Sequence, residues 1–482
     1  MTRATGHSVW RMSSRSALRG LLAVMWLLCG AVVVLGDAET QPALQPASRP
    51  ASQPASQPTS QAVATTTQSQ PTTTTQATTT QPGEGEPAER WLAVVNGRVH
   101  TVTGPVLDGA TVLCKDGVIS AIGTGVALPA ECQVVDAAGR EVYPGLVAAA
   151  AGGIHGGGDP ADTTNVYSLN MLIALAGGIT TAIAGDHVAK LTFGTTEGMV
   201  LRSGAFLKLK YSSRDPLARA KLRADLERVR AHVREVAAYE RQKSRGDDVK
   251  PPDKEWIKGK YDRYLKLLRR ELVGMVSAGE EQELRDVAEL AQTFGFDLVV
   301  RGAHEGWRAA SALGRAGAAA IVTPRADVAP DERLNRPNGS TIENARILRE
   351  HGVRVAVIPN TAAITVWGLA GRDLLHLNME AAFAVRGGMS NDDALKTITI
   401  DAARVLGVDD RVGSLEVGKD ADLLICDGDL LHYMTQVHTT IVNGRVVYEK
   451  AKESLFAHIR PEGKPGVSDF DDQWPRQLTW PD

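Results

Sequence analysis

The sequence predicts an α/β protein built on a (β/α)8 TIM-like barrel, with a small composite β-sandwich domain formed from both ends of the folded region. Short apolar runs alternate with amphipathic helices through the middle of the chain, a pattern typical of a parallel sheet. Strand-rich segments with turn dipeptides flank this middle on both sides. With 482 residues, 43% of them hydrophobic, the chain is long enough to bury such cores.

Residues 1–36 have the layout of a secretory signal, in which four arginines precede the uncharged apolar run 20–36. Small residues near the end of the run, Gly36 and Ala38, permit cleavage. An uncleaved anchor is the alternative, because 17 apolar residues are at the lower edge of what spans a bilayer. Both interpretations predict export to the periplasm or cell envelope, with membrane contact only through this segment.

Residues 37–88 form a Gln/Pro/Ser/Thr-rich linker, in which Arg49 is the only charge between positions 40 and 83. Such a segment has too few apolar groups to offset the entropy of ordering, so we expect a solvated tether. The net charge of the whole chain is -3, which does not indicate a nucleic-acid partner. Beyond the signal the cysteines are Cys114, Cys132 and Cys426, compatible with one disulfide or with three small core residues.

Residues 89–142 and 407–455 are expected to form the composite β domain. The dipeptides Asn96-Gly97, Asp116-Gly117 and Asn443-Gly444 each predict a hairpin turn, because Asn, Asp and Gly adopt the positive φ angles that tight turns require. A tail, 456–482, follows this domain.

Residues 143–406 are expected to form the barrel, since about eight strand-and-helix units fit there. The clearest strand candidates are 179–185, 274–278, 297–303, 318–323 and 353–359. Ser340 and Glu343 have capping-box spacing and predict a helix start. The charged segment 214–273 is an insertion predicted to contain two surface helices around a polar turn. Its basic residues either bind anions or form an ordinary solvated face.

Three segments resemble the amidohydrolase superfamily, most strongly its imidazolonepropionase-like branch. They are VNGRVHTV through YPGLV, then AGGITTAIAG, and then DAARVLGVDDRVGSLEVGKDADLLICDGDLL followed by IVNGRVVY. The resemblance extends from about residue 92 to residue 448. It implies a metal-dependent hydrolase of non-peptide C–N bonds, of the cyclic amide class, acting on a small molecule, and it makes a homo-oligomer plausible.

The resemblance also implies where metal ligands belong. The family carries two histidines on the first barrel strand, a lysine or carboxylate on the fourth, one histidine each on the fifth and sixth, and an aspartate on the eighth. This chain has Ala150 and Gly152 at the first pair, Ser277 on the fifth strand and Asn360 in place of the aspartate. His304 is the one histidine at a family position. An amide cannot act as a base near neutral pH, so the resemblance points to a degenerate site built around His304 and Asn360.

Candidate substitute ligands lie near the same barrel face. His155 and His187 would have to join His304 to hold a divalent metal such as zinc, and the acidic residues Asp159, Asp186 and Glu305 follow nearby in sequence. Two functions therefore remain open. One is C–N bond hydrolysis at a rebuilt metal centre. The alternative is a noncatalytic pseudoenzyme, a ligand-binding or assembly module outside the cytoplasm.

Overall fold

The computed structural model describes residues 89–364 and 373–453. The predicted signal or anchor (1–36), the linker (37–88) and the tail (456–482) lie outside the described residues. Among the helices in the described part of the chain, none is both long enough and apolar enough to cross a membrane.

Both ends of the described chain meet in one eight-stranded sheet, in the order β17-β16-β15-β5-β1-β2-β3, with β4 also paired to β1. Its strands are β1 (Trp91–His100), β2 (Val106–Lys115), β3 (Val118–Gly123), β4 (Gln133–Asp136), β5 (Glu141–Pro144), β15 (Leu423–Cys426), β16 (Val437–Val442) and β17 (Arg445–Glu449). The antiparallel pairing of β15 with β5 joins the two ends. Because hydrogen bonds link all eight strands, this region is one continuous sheet rather than two separate sheets of a sandwich.

Two of the three predicted turn dipeptides connect paired strands, and the third does not. Asp116-Gly117 joins β2 to β3, and Asn443-Gly444 joins β16 to β17. Asn96 has a φ of 56° but lies inside β1, where the register with β2 shifts between Val94 and Gly97. The hairpin prediction at Asn96-Gly97 was therefore wrong: the positive φ forms a bulge within a long strand.

The middle of the chain contains two further sheets. The first has the order β6-β7-β8-β9, and the second, β10-β11-β12-β13-β14, is parallel throughout. Their strands are β6 (Leu146–Ala148), β7 (Ile179–Ala184), β8 (His187–Lys190), β9 (Val200–Arg202), β10 (Phe206–Leu209), β11 (Val273–Ala278), β12 (Leu298–Gly302), β13 (Ala319–Val322) and β14 (Arg354–Val357). All five strand candidates from the sequence are confirmed.

Helices surround these strands. They are α1 (Pro160–Thr163), α2 (Leu169–Ala176), α3 (Pro216–Lys243), α4 (Lys260–Leu268), α5 (Glu281–Phe294), α6 (Gly306–Arg315), α7 (Asn344–Glu350), α8 (Leu377–Arg386), α9 (Asn391–Thr397) and α10 (Ile400–Leu406), with a 3-10 turn at Leu374–His376. The insertion contributes α3 and α4. Helix α7 begins at Asn344 rather than at the predicted capping box, because the Ser340 hydroxyl donates to the Ala326 carbonyl instead of capping the helix.

The strands curve around a common interior. One buried cluster contains side chains from β6, β7, β10, β11, β12, β13 and β14, including Val147, Ile183, Phe206, Met275 and Val299. Alternate residues of the same strands, such as Leu207 and Val276, pack in a second cluster with the helices. Because successive strand residues face opposite sides, the first cluster is the inside of a barrel-like wall and the second lies between the wall and its helices.

The predicted closed barrel of eight parallel strands differs from the observed wall. In the described residues, seven strands run parallel, in two groups whose ladders do not join. After β7 the chain turns back as the antiparallel strand β8, and no ladder joins β7 to β10. A backbone hydrogen bond crosses this gap from the Ala205 amide to the Asp186 carbonyl. The second gap lies between β14 and β6. There the Val147 amide of β6 donates to the carbonyl of Ile398, just after α9, instead of to a residue of β14.

The three cysteines of the described residues are free. Cys114 and Cys426 are buried in strands, and burial raises the pKa of the Cys114 thiol to about 12. No disulfide joins these three cysteines, and two of them are core residues, whereas Cys132 is only partly buried.

Candidate functional site

The mouth of the barrel wall lies at the carboxyl ends of its parallel strands. On β11, Ser277 lies between Val276 and Ala278, which both pack toward the helices. Ser277 therefore faces inward, one step above the buried Met275. The same alternation places Lys208 of β10 and Arg301 of β12 on the inward face at the mouth. These three side chains are exposed, so they are accessible from solvent.

The end of β6 offers no ligand atoms. Ala150 is buried in the interior cluster with 1% of its surface exposed. Gly152 packs against the segment that follows β14, where an added Cβ would lie 3.4 Å from the Ala362 carbonyl oxygen. The two positions at which the resemblance expects histidines therefore contribute only a methyl group and backbone to the mouth.

His304 follows β12 and packs over a glycine. Its ring lies so close to Gly279 that a Cβ there would be 2.2 Å from the His304 Cε1 atom and 2.4 Å from Nδ1. Only a glycine leaves room for the ring in this position. Within the described residues, the His304 ring forms no hydrogen bond or ion pair. The ring is half-buried, and its nitrogens remain open to a ligand.

Glu305, the neighbour of His304, is occupied in holding the structure together. Its carboxylate accepts the amides of Glu281 and Gly339 at 2.8 and 2.9 Å and pairs with Arg336 at 3.0 Å. Burial alone would raise the pKa of Glu305, but the two amides and the guanidinium outweigh it and lower the pKa. Glu305 therefore joins the N-terminus of α5 to the loop before α7, and the expectation that it converges on a metal is not supported by these contacts.

Asn360 lies two residues beyond the buried Ile358 of the wall and is exposed. Its Nδ2 lies 3.5 Å from the Arg325 carbonyl oxygen. Position 360 is thus at the mouth, as the resemblance implies, and its side chain offers an amide where the family has a carboxylate. An amide can orient a ligand by hydrogen bonding but cannot remove a proton from water.

His155 lies in the glycine-rich loop after β6. Its Nδ1 is 3.3 Å from the Thr164 hydroxyl, and its buried Nε2 has no hydrogen-bond partner among the described residues. Burial lowers the pKa of His155 to about 4, so the ring is neutral at pH 7. The nearby Asp159 accepts the Ala161 amide and caps α1, so its carboxylate is used locally.

Asp186 lies in the tight turn between β7 and β8, and His187 is the first residue of β8. His187 Nε2 lies 3.3 Å from one carboxylate oxygen of Asp186, and Arg263 of α4 lies 3.4 Å from the other. Arg263 also donates to the Phe206 carbonyl at 3.0 Å. This turn is therefore bound to the insertion by an ion pair.

The side chains present do not fit the metal that the resemblance implies. Across residues 89–364 and 373–453, no three His, Cys, Asp or Glu side chains come close enough together to hold a metal ion, so His155, His187 and His304 do not form such a group. Lys208 is on the strand before β11, where the family has a lysine or carboxylate, but a protonated ammonium group has no lone pair to give. The orphaned Nε2 of His155 is one donor, and a zinc site needs about three.

Sequence reasoning did not identify Lys208 and Arg301 as mouth residues. Neither side chain has a hydrogen bond or ion pair in the described part of the chain. Strand alternation could have identified them. Lys208 in FLKL and Arg301 in LVVRG each lie next to apolar residues that face the helices, so their own side chains face the opposite side of the strand. The mouth therefore has a cationic inner rim.

Comparisons with known proteins agree with this architecture. The model of the amidohydrolase family matches residues 318–447. An imidazolonepropionase of Mesorhizobium japonicum is 35% identical over 122 residues, covering 24% of this chain and 26% of that protein. An imidazolonepropionase of Sphingopyxis alaskensis is 26% identical over 400 residues, covering 70% of this chain and 91% of that protein.

Two further similarities are shorter or more distant. A 5-methylthioadenosine/S-adenosylhomocysteine deaminase of Symbiobacterium thermophilum is 42% identical over 73 residues, covering 12% of this chain and 16% of that protein. The matches to this deaminase and to the Mesorhizobium protein thus span about a quarter or less of the relative's length. The crystal structure of an amidohydrolase from Thermotoga maritima superposes with a TM-score of 0.58 at 21% identity, covering 74% of this chain and all of that one. This likeness supports a TIM-barrel-like α/β fold.

Proposed function

Because the chain belongs to the amidohydrolase superfamily, we propose that it uses the mouth of its barrel to bind a small molecule, without the metal-dependent hydrolysis of a C–N bond. This proposal rests on the side chains that occupy the positions where the family has its metal ligands. Ala150 and Gly152 offer no donor atom, and Ser277 is a poor neutral ligand for zinc. Activation of water by a metal requires coordination that these side chains do not supply.

The mouth retains groups suited to holding a ligand. Arg301 faces inward with no partner in the described residues, Ser277 presents a hydroxyl, and Asn360 presents an amide. An arginine can bind a carboxylate or phosphate through two parallel hydrogen bonds. We therefore expect the small molecule to carry an anionic group that contacts Arg301.

The test is metal content measured together with ligand binding. The full chain is expressed with zinc, iron and manganese available and without a histidine tag, then analysed for bound metal and melted with and without a chelator. We expect far less than one metal ion per chain and no change in melting temperature. A stoichiometric metal, or a large chelator-induced drop, would contradict the proposal.

A screen of anionic and neutral small molecules by thermal shift tests the binding itself. Arg301→Met should remove stabilisation by anionic hits, while the matched variant Arg354→Met, at the exposed start of β14, should retain it. Equal stabilisation of both variants would count against the mouth as the binding site.

The second candidate is hydrolysis of a C–N bond at a rebuilt centre, which the family membership favours. His155 supports it specifically, because burial keeps the ring neutral and leaves Nε2 without a partner. A metal-loaded protein that hydrolyses a cyclic amide, and loses this activity in both His155→Ala and His304→Ala, would establish this candidate.

We also propose that the barrel lies outside the cytoplasm. The support is the sequence of residues 1–36 and the linker 37–88, which precede the described part. A reporter enzyme that is active only after export, fused behind residue 482, should be active with the full chain and inactive when residues 2–36 are deleted.

A further inference from the structure

We propose that a second site, between β10 and the helical insertion, binds a small organic anion carrying at least two negative charges. A cleft of about 400 Å³ lies there, lined by β10 and the segment after it on one side and by α3 and α4 on the other. This site goes beyond the proposed function, because it belongs to an insertion rather than to the barrel mouth.

The cleft is strongly basic. Apart from Lys208, whose side chain faces the barrel mouth, four of its lining residues are cationic and one is anionic: Lys210, Lys221, Lys260 and Arg263, against Asp225. Clustered positive groups around a concave, low-dielectric surface raise the local concentration of anions. The charge imbalance is therefore concentrated in a cavity rather than spread over a solvated helix face.

The single carboxylate is already engaged. Asp225 accepts from Lys260 at 2.6 Å and from the Tyr261 hydroxyl at 3.0 Å. Arg263 pairs with Asp186, outside the cleft lining. Lys208 faces the barrel mouth by strand alternation, so its ammonium group is not counted here. Lys210 and Lys221 form no ion pair within the described residues. Two ammonium groups are thus left to balance charges that a ligand brings.

The size and remaining lining define the ligand class. A cleft of about 400 Å³ is in the range of sites for small organic ligands and is too small for a folded or polymeric partner. Leu207, Leu209 and Tyr264 provide apolar contact beside the cations. This mixture suits an organic skeleton with phosphate or carboxylate groups rather than an inorganic ion.

The site also explains a structural feature of the insertion. Arg263 of α4 donates to the Phe206 carbonyl at the start of β10 and pairs with Asp186 after β7. These contacts hold the helices over the gap in the barrel wall between β7 and β10. The insertion therefore forms one wall of the cleft.

The experiment is isothermal titration of the full chain at low ionic strength. The probes are fructose 1,6-bisphosphate, citrate and, as a neutral control, glucose. We expect one or both anions to bind and glucose not to bind. Preference for the bisphosphate or for citrate distinguishes phosphoryl from carboxyl recognition. Binding should weaken when salt is raised to about 0.5 M, because exposed charges are screened.

Two double variants locate the site. Lys210→Gln with Lys221→Gln should weaken binding roughly tenfold or more, since two charge-assisted contacts are lost. Lys250→Gln with Lys254→Gln removes the same charge from the exposed turn of the insertion, outside the cleft, and should leave the affinity within about twofold. All four lysines are exposed, so both proteins should fold.

Failure to bind either anion would overturn the proposal, and so would equal weakening in the two double variants. Repeating the titration with Arg301→Met separates this cleft from the barrel mouth. Unchanged affinity in that variant supports the cleft, whereas loss of binding there but not in the cleft variant would assign the anion to the mouth instead.

Discussion

The ammonium group of Lys190 lies 2.9 Å from a carboxylate oxygen of Asp422, and neither side chain is accessible to solvent beyond 4% of its surface. Lys190 belongs to β8 of the middle region, and Asp422 immediately precedes β15. Asp420 at 2.6 Å and the Asn443 side-chain oxygen at 2.6 Å complete the surroundings of the ammonium group. The sheet built from both chain ends is thus joined to the middle region through one buried cation.

Removing this cation should be severely destabilising. Lys190→Ala leaves the buried Asp422 without its counter-ion, while Asp420 retains Arg411, so we expect a loss of about 3–5 kcal/mol in the free energy of unfolding. Urea denaturation followed by circular dichroism measures it. Lys452→Ala, whose side chain is 79% exposed beside Glu449, is the control and should change stability by less than about 0.5 kcal/mol. Similar losses in both variants would refute the role assigned to Lys190.

His155 should make stability depend on pH in a defined window. Burial lowers the pKa of the folded-state ring from 6.5 to about 4, so the unfolded chain binds more protons between these values. Stability is therefore expected to fall as pH decreases from 6.5 toward 4, by up to roughly 3 kcal/mol. Unfolding free energies across this window should vary less in His155→Gln. The exposed His351→Gln should keep the wild-type dependence, and an identical slope in all three proteins would contradict the prediction.

Glu305 should contribute stability that acid removes. Its pKa is lowered in the folded state, so its contribution is present above the unfolded-state value and is lost as pH falls through the folded pKa. Glu305→Gln removes the charge that Arg336 and the amides of Glu281 and Gly339 bind. We expect a loss of about 2–3 kcal/mol at pH 7. Glu332→Gln, on the exposed loop nearby, should be neutral; a neutral Glu305→Gln would show that the carboxylate is dispensable.

Gly279 and His304 should be energetically coupled. A Cβ at position 279 would overlap the His304 ring, so Gly279→Ala should cost about 1–3 kcal/mol. The same change in a His304→Ala background should cost much less, because the ring is gone. A double-mutant cycle in urea measures the coupling. Gly157→Ala, where an added Cβ meets no atom within 4 Å, is the control. Additive effects of the two changes would mean that the ring does not pack on Gly279.

Much of the fold was predictable because it rests on local patterns. The five strand candidates in the middle of the chain and the helix Glu281–Phe294 follow from apolar periodicity, which records which side of each element is buried. The bulge at Asn96 and the late start of α7 were not predictable in this way. Asn96, a typical turn residue, lies within a strand paired with β2. Ser340, a typical cap residue, donates to the Ala326 carbonyl instead.

The sequence by itself determined the family resemblance and the chemistry missing from the ligand positions, because a methyl group at Ala150 or an amide at Asn360 has the same limits in any fold. Only the tertiary structure decided which charged groups meet. It separates His155, His187 and His304, occupies Glu305 with backbone amides, and brings Lys190 to Asp422 over 232 positions of sequence. Such pairings depend on how strands and insertions pack in space, and no local pattern of residues encodes the distances between them.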